Sequence, residues 1–313
     1  MITKILKFLF IITLFFAIYG CSIDKDKYFE RLRDDFRKEL DQYSWEEPEK
    51  IYSLIEETIY YRKVNLRDNI GSSRIAGTPD LPSSIEWPTY QNKPMVFIAQ
   101  LNLAEIKDYH RFDLLPTRGI IYFFSYYEDP ESEYGAVYDF IRPKEEYKII
   151  YYDGDFNELS NRDFPKDLIS DYHFEGRSLE FEIYIQVPMT QETWIVEEKK
   201  LTMVDAETYE EFVDNYDSNC EYEFLLGTPC PIQYFGVDHD WAYGYIINKV
   251  ENIFDPKNNS ITEKIRPNFI NLFSFNLEYS FNNIGDSRAY FGIQIDDLKN
   301  KSFDKAVFIM QDT

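Results

Sequence analysis

The sequence predicts an α+β fold of mostly antiparallel sheet, in two halves that a duplication would explain, preceded by an N-terminal helix pair. Three observations carry that prediction. Helical periodicity concentrates near the start of the chain. From residue 67 onward, short segments rich in β-branched and aromatic residues are bounded by Gly, Pro, Asn and Asp. The regular strand–helix–strand alternation of a parallel sheet is absent.

The first element is a leader. Lys4 and Lys7 precede an almost unbroken apolar run, residues 8–19. That run is short for a spanning helix, which needs about 20 apolar residues, and suits a secretory core of about 7–15. It ends at Ile18-Tyr19-Gly20-Cys21, which resembles the lipobox of bacterial lipoprotein precursors. The resemblance implies a lipidated Cys21, cleavage before it, and a protein hung on a membrane of the bacterial envelope. Ser22 follows where the usual inner-membrane retention residue would be Asp, so the outer membrane is favoured in a Gram-negative cell. An ordinary signal peptide with a chance cysteine is the alternative. Residues 1–20 are thus expected to be a signal peptide and residues 21–66 a lipidated tether with two helices.

Those helices are read at "KYFERLRDDFRKELDQY" and "EKIYSLIEETIYYRKV". Tyr28, Phe29, Leu32, Phe36 and Leu40 recur at spacings of three and four, as do Ile51, Leu54, Ile55, Ile59 and Tyr60. Pro48 fits the start of the second helix. Strands are expected at residues 94–103, 119–127, 146–153, 179–188, 271–280, 287–295 and 305–312. Helices are expected at 206–216 and, briefly, at "NLAEI". "AGTPDLP" (76–82) is echoed by "LGTPCPIQ" (226–233), and each precedes a strand with "NL" and then a second strand after Gly.

Composition limits the function classes. The formal charge is −23, and removing residues 1–20, which hold two lysines and no acid, takes it to −25. Such a surface repels nucleic acid and suits a basic partner or simple solubility. Aromatics make up 18% of the chain, which excludes disorder for most of it. With Cys21 assigned to lipid, Cys220 and Cys230 remain, either bridged or buried as free thiols. No nucleophile elbow, phosphate loop or dinucleotide fingerprint is present. Of the three histidines, His110, His173 and His239, only the last has an acid on each side, in "VDHDW". Read as an extended loop, that run sends neighbouring side chains to opposite faces, so no metal ligand set and no cofactor is expected.

The order of blocks "SSRIAGTPDLPSSIEWP", "PMVFIAQLNLAEI", "LPTRGIIYFF", "FLLGTPCPIQ", "LFSFNLE", "IGDSRAYFGIQIDDL" and "KAVFIMQ" resembles the YwqG-like family. The family pattern runs G-x-P-x-L-P…W-P, F-x-x-Q-I-N-L, G-x-L-x-F-F, L-L-G-x-P-x-P-x-Q and W-G-D-x-G-x-L-Y-F-F-I. Ile284 stands where the last block usually has Trp, while Gly285 and Asp286 are kept, and the tract 128–200 carries extra acidic segments. The resemblance implies an α+β domain over 67–313 with two related sheet-rich halves, and no reaction. It admits an immunity-type role. The residues that match the family pattern, Asp80, Glu86 and Trp87 on the Pro-rich loop 76–88, Gln100 in mid-strand, and Asp286 and Arg288 at the later turn, are the candidate binding set. The functional expectation is a lipid-anchored, non-enzymatic interaction protein; an envelope hydrolase with an acidic cleft is the alternative.

Overall fold

A computed structural model describes residues 25–109, 114–127, 141–188, 199–216, 223–229, 231, 236–247, 256–277 and 287–312. The chain divides after Gln42 into two compact units. The first holds α1 (Lys25–Leu40), whose polar side carries i,i+3 pairs such as Lys38–Asp35 at 2.7 Å. Such exposed pairs add only a few tenths of a kcal/mol each, so the apolar stripe read from the sequence is the stronger reason for this helix.

The second unit begins by correcting an expectation. The second predicted helix is a single turn, α2 (Pro48–Tyr52), and the chain then runs as strand β1 (Glu56–Asn65). Thr58, Ile59, Tyr60, Tyr61 and Val64 are strand formers. Along its whole length β1 pairs antiparallel with β10 (Arg177–Gln186), burying Thr58, Ile59 and Tyr61. A ten-residue ladder with a buried face outweighs the weak helical period. α2 is held from a distance: the buried Asp205 carboxylate accepts from the Glu46 and Glu47 N–H groups at 2.7 and 3.0 Å. Asp205 lies in the first turn of α4 (Met203–Tyr216).

The other strands are β2 (Arg74–Ile75), β3 (Asp80–Pro82), β4 (Thr89–Tyr90), β5 (Lys93–Pro94), β6 (Val96–Asn102), β7 (Ile120–Ser125), β8 (Tyr147–Tyr152), β9 (Leu159–Asn161), β11 (Glu223–Leu225), β12 (Phe269–Asn276), β13 (Ser287–Gln294) and β14 (Val307–Asp312). Further helices are α3 (Leu103–Ile106), α5 (Val237–Ile247), α6 (Pro256–Ile265) and α7 (Ile295–Lys299). The main sheet has the order β11-β1-β10-β2-β6-β7-β8, and a second has the order β12-β13-β14. All described pairings in them are antiparallel. The fold is therefore α+β, as the sequence predicts.

The two echoed motifs occupy matching places. Ala76 and Leu226 both adopt left-handed φ, 58° and 59°, and each precedes Gly-Thr-Pro. The Ala76 N–H donates to the Ile98 carbonyl at 2.7 Å, and the Leu226 N–H to the Asn271 carbonyl at 2.8 Å. Three residues earlier, the Ser73 hydroxyl accepts from the Asn102 N–H and the Glu223 carboxylate accepts from the Asn276 N–H. The β6–β7 and β12–β13 ladders each carry an irregularity, between Phe97 and Ala99 and between Asn271 and Phe273. The central strands obey the same symmetry. β1 meets β11 at Ile59↔Leu225 and β10 meets β2 at Arg177↔Ile75, each three residues from the paired Arg62↔Glu180. A pseudo-two-fold axis at that pair relates β2-β6-β7-β8 to β11-β12-β13-β14.

The main sheet curls, so that the two meanders share one core. Phe123 of β7 lies between Phe273 and Phe291, with ring centroids 5.1 and 4.8 Å away. Tyr147 of β8 donates to the Ala306 carbonyl, and the Arg142 N–H donates to the Phe308 carbonyl.

Candidate binding site

The polar centre of the first half is the Asp80 carboxylate, which is fully buried. Its Oδ2 accepts from Arg74 Nη2 at 2.6 Å, from the Gly71 N–H at 2.7 Å and from Gln100 Nε2 at 3.0 Å. Its Oδ1 accepts from Asn161 Nδ2 at 3.0 Å. The Asp80 N–H donates to Gln100 Oε1 at 2.8 Å, and the Tyr122 hydroxyl donates to the Asp80 carbonyl at 2.6 Å. A buried charge is tolerated only when paired and hydrogen-bonded, and here both carboxylate oxygens are engaged. Burial, and then the Asp80 charge, pushes the Tyr122 phenol above its ordinary pKa, so it stays a neutral donor.

This network governs the loop between β1 and β2. Arg74 Nη2 also reaches the Asn69 carbonyl at 3.3 Å, Gln100 Nε2 the Ser72 carbonyl at 2.7 Å, and Asn102 Nδ2 the Gly71 carbonyl at 2.9 Å. Gly71 has φ +78°, and an added Cβ would stand 3.2 Å from Leu159 and 3.3 Å from Phe156. Glycine is therefore required both for the turn and for the close seat of the 156–161 segment. On the outside of this arrangement, Ile70 is 50% exposed and Phe156 is 37% exposed.

The sequence-predicted residues fall in several places. Asp80 and Gln100 come together in the network. Trp87 lies on the neighbouring layer, where its indole N–H donates to the Met95 carbonyl at 2.7 Å and its ring meets Phe124 edge-on. Glu86 is exposed on the same loop. Arg288 lies on β13, opposite Gln311 and Asn276, in the other meander. Cys21, Cys220, Cys230 and Asp286 lie outside the described residues. Sequence reasoning did not single out Arg74, Asn161, Ile70 or Phe156. Arg74 stands inside the quoted "SSRIAGTPDLP", whereas Asn161 and Phe156 come from a tract with no motif.

A family model described as "Domain of unknown function (DUF1963)" matches residues 73–311. The chain belongs to the DUF1963 family. No curated protein matches it. The DUF1963 match spans both meanders and begins at Ser73, the residue that accepts from Asn102 beside the Asp80 network.

Elsewhere in the DUF1963 domain His173 and His239 lie on separate elements, and His110 lies outside the described residues. His173 stacks on Phe164 at 4.2 Å. His239 lies in the first turn of α5, which corrects the expectation of an extended loop; Asp238 and Asp240 favour a helix start through the dipole. Its Nδ1 lies 3.7 Å from Asp240 and its Nε2 lies 4.0 Å from Glu263 on α6. Asp240, chiefly, raises its pKa. Asp238 is taken up by Arg266 at 2.6 Å. Among the described residues, no group of three or more His, Cys, Asp or Glu is placed to hold a metal ion.

Proposed function

We propose that this protein is a YwqG-like lipoprotein, held on a bacterial envelope membrane through lipid on Cys21, that acts by binding a partner rather than by catalysis. The outer membrane is the favoured location in a Gram-negative cell, and an immunity-type role fits the resemblance. One observation carries the binding reading. The buried Asp80 carboxylate ties together two surface segments, through the Gly71 N–H and Asn161 Nδ2, and those segments carry the exposed Ile70 and Phe156. Ordered, exposed apolar side chains on a polar protein mark interaction sites when they lie together. Candidate residues Asp80 and Gln100 then act as positioning groups behind that surface.

The anchor reading rests on the leader, its charge pattern and the place of Cys21. Two or more acyl chains, at about 0.8 kcal/mol per buried CH₂, hold a protein on a membrane stably. Mass spectrometry of the mature amino terminus should find acylated Cys21, and pull-down from envelope extracts should recover a salt-sensitive partner. Residues 1–20 retained on the mature protein would remove the anchor. No enrichment over an unrelated domain on the same anchor would remove the binding role.

A further inference from the structure

We propose that Lys144 is an acylation site, whose half-buried side-chain amine takes a small acyl group from an activated donor, an acyl phosphate; this is independent of the binding reading above. Lys144 opens the single turn Lys144–Glu146, between the Ile141↔Ile309 bridge and β8. That turn lies on the seam joining the two meanders. The Arg142 N–H donates to the Phe308 carbonyl at 3.0 Å, and the Tyr147 hydroxyl donates to the Ala306 carbonyl at 2.9 Å. Lys144 Nζ is set into the same seam, 4.3 Å from the centre of the Tyr147 ring and 3.4 Å from the Ala306 carbonyl oxygen.

These neighbours are unusual for a lysine in so acidic a chain, which has 56 acids to 33 lysines and arginines. Lys38, Lys50, Lys63 and Lys305 each hold a carboxylate, at 2.7, 2.5, 2.9 and 2.6 Å. Among the described residues Lys144 holds none. Glu146, on the same turn, is taken by Arg142 at 3.0 Å. Asp304 and Glu145 act on the amine through their charge alone, and Lys148 opposes them. A ring face and one carbonyl compensate a half-buried ammonium less than a carboxylate does. Burial therefore holds this amine below the usual lysine range, at about 8.

A desolvated lysine without a counter-ion is a nucleophile at neutral pH. Its lone pair attacks the acyl carbon, the N–C bond forms, and the C–O bond to phosphate breaks. Phosphate leaves with the electron pair, and the surplus amine proton passes to water. The product amide keeps one N–H for the Ala306 carbonyl and removes the half-buried charge, so the seam suits the product better than the cation.

The test uses the purified full chain, acetyl phosphate as the donor, and site-resolved peptide mass spectrometry across a pH series. At about pH 7.5, Lys144 should acetylate at least about ten-fold faster than Lys93 and Lys148, which are exposed. Its rate should rise with a midpoint at about pH 8, while theirs still climb at about pH 10. Asp304 is exposed and its charge favours the ammonium. Asp304→Asn should therefore speed Lys144 at least about two-fold at about pH 7.5, with unchanged thermal unfolding. Acetylation of Lys144 no faster than that of the exposed lysines would overturn the proposal. So would a midpoint above about pH 9.5, or a rate in Asp304→Asn no higher than in the wild type.

Discussion

Asp80 shows how one side chain can look like a site and serve as a fastener. The loop motif around it points to binding, yet all its carboxylate contacts are internal and its exposure is zero. Its value lies in what depends on it: Arg74, only 5% exposed, has no other carboxylate among its described partners. Breaking such a pair leaves a buried charge uncompensated, which costs about 3–5 kcal/mol. Asp80→Ala should lose stability of that order in urea unfolding. A loss under about 1 kcal/mol would show that water or a shift of Arg74 replaces the carboxylate easily. Sequence alone could name Asp80 and Gln100 because they stand in recognisable motifs. It could not tell an inward carboxylate from an outward one, because Gly71 and Arg74 reach it from the preceding turn while Gln100 and Asn161 reach it from two distant segments.

Elements were legible where local period and punctuation agree. The seven predicted strands correspond to β6, β7, β8, β10, β12, β13 and β14, each a β-branched and aromatic run ended by turn residues. β1 was hidden because Ile51, Leu54, Ile55 and Ile59 imitate a helical face, while its partner β10 lies far along the chain. α5 was hidden because its apolar and polar residues are mixed around the helix, with Val237, Trp241, Ala242 and Ile246 all buried. Its position creates a pH-dependent link to α6. His239 has a raised folded pKa, caused first by Asp240 and also by Glu263 and opposed by burial and Arg266. A group raised above its unfolded value of 6.5 adds stability that is complete below that pH and is lost as pH climbs through the folded value. His239→Gln should therefore destabilise the protein more at about pH 5.5 than at about pH 8.5 in paired urea titrations. An equal effect at both would mean that Asp240 and Glu263 do not favour the imidazolium.

At the scale of the whole sheet-rich unit, two meanders built on one plan have diverged at their polar centres. The left-handed residue before Gly-Thr-Pro, the bond it donates and the paired irregularities are shared. The buried Asp80–Arg74–Gln100 cluster belongs to the first half; in the second half Ser274 of β12 takes the place of Gln100 and donates to the Phe224 carbonyl. The shared core around Phe123, Phe273 and Phe291 gives that first half a fixed base from which to present its surface loop. The central claim is that the Asp80 carboxylate fixes this loop for binding. Amide hydrogen exchange at Gly71 in Asp80→Asn, referred to the Phe291 amide in the shared core, tests it most directly. The account predicts that Gly71 loses protection at least about ten-fold more than Phe291, because local opening no longer breaks a charge-assisted bond. Equal loss at the two amides would contradict it, since the loop would then open only with the whole fold.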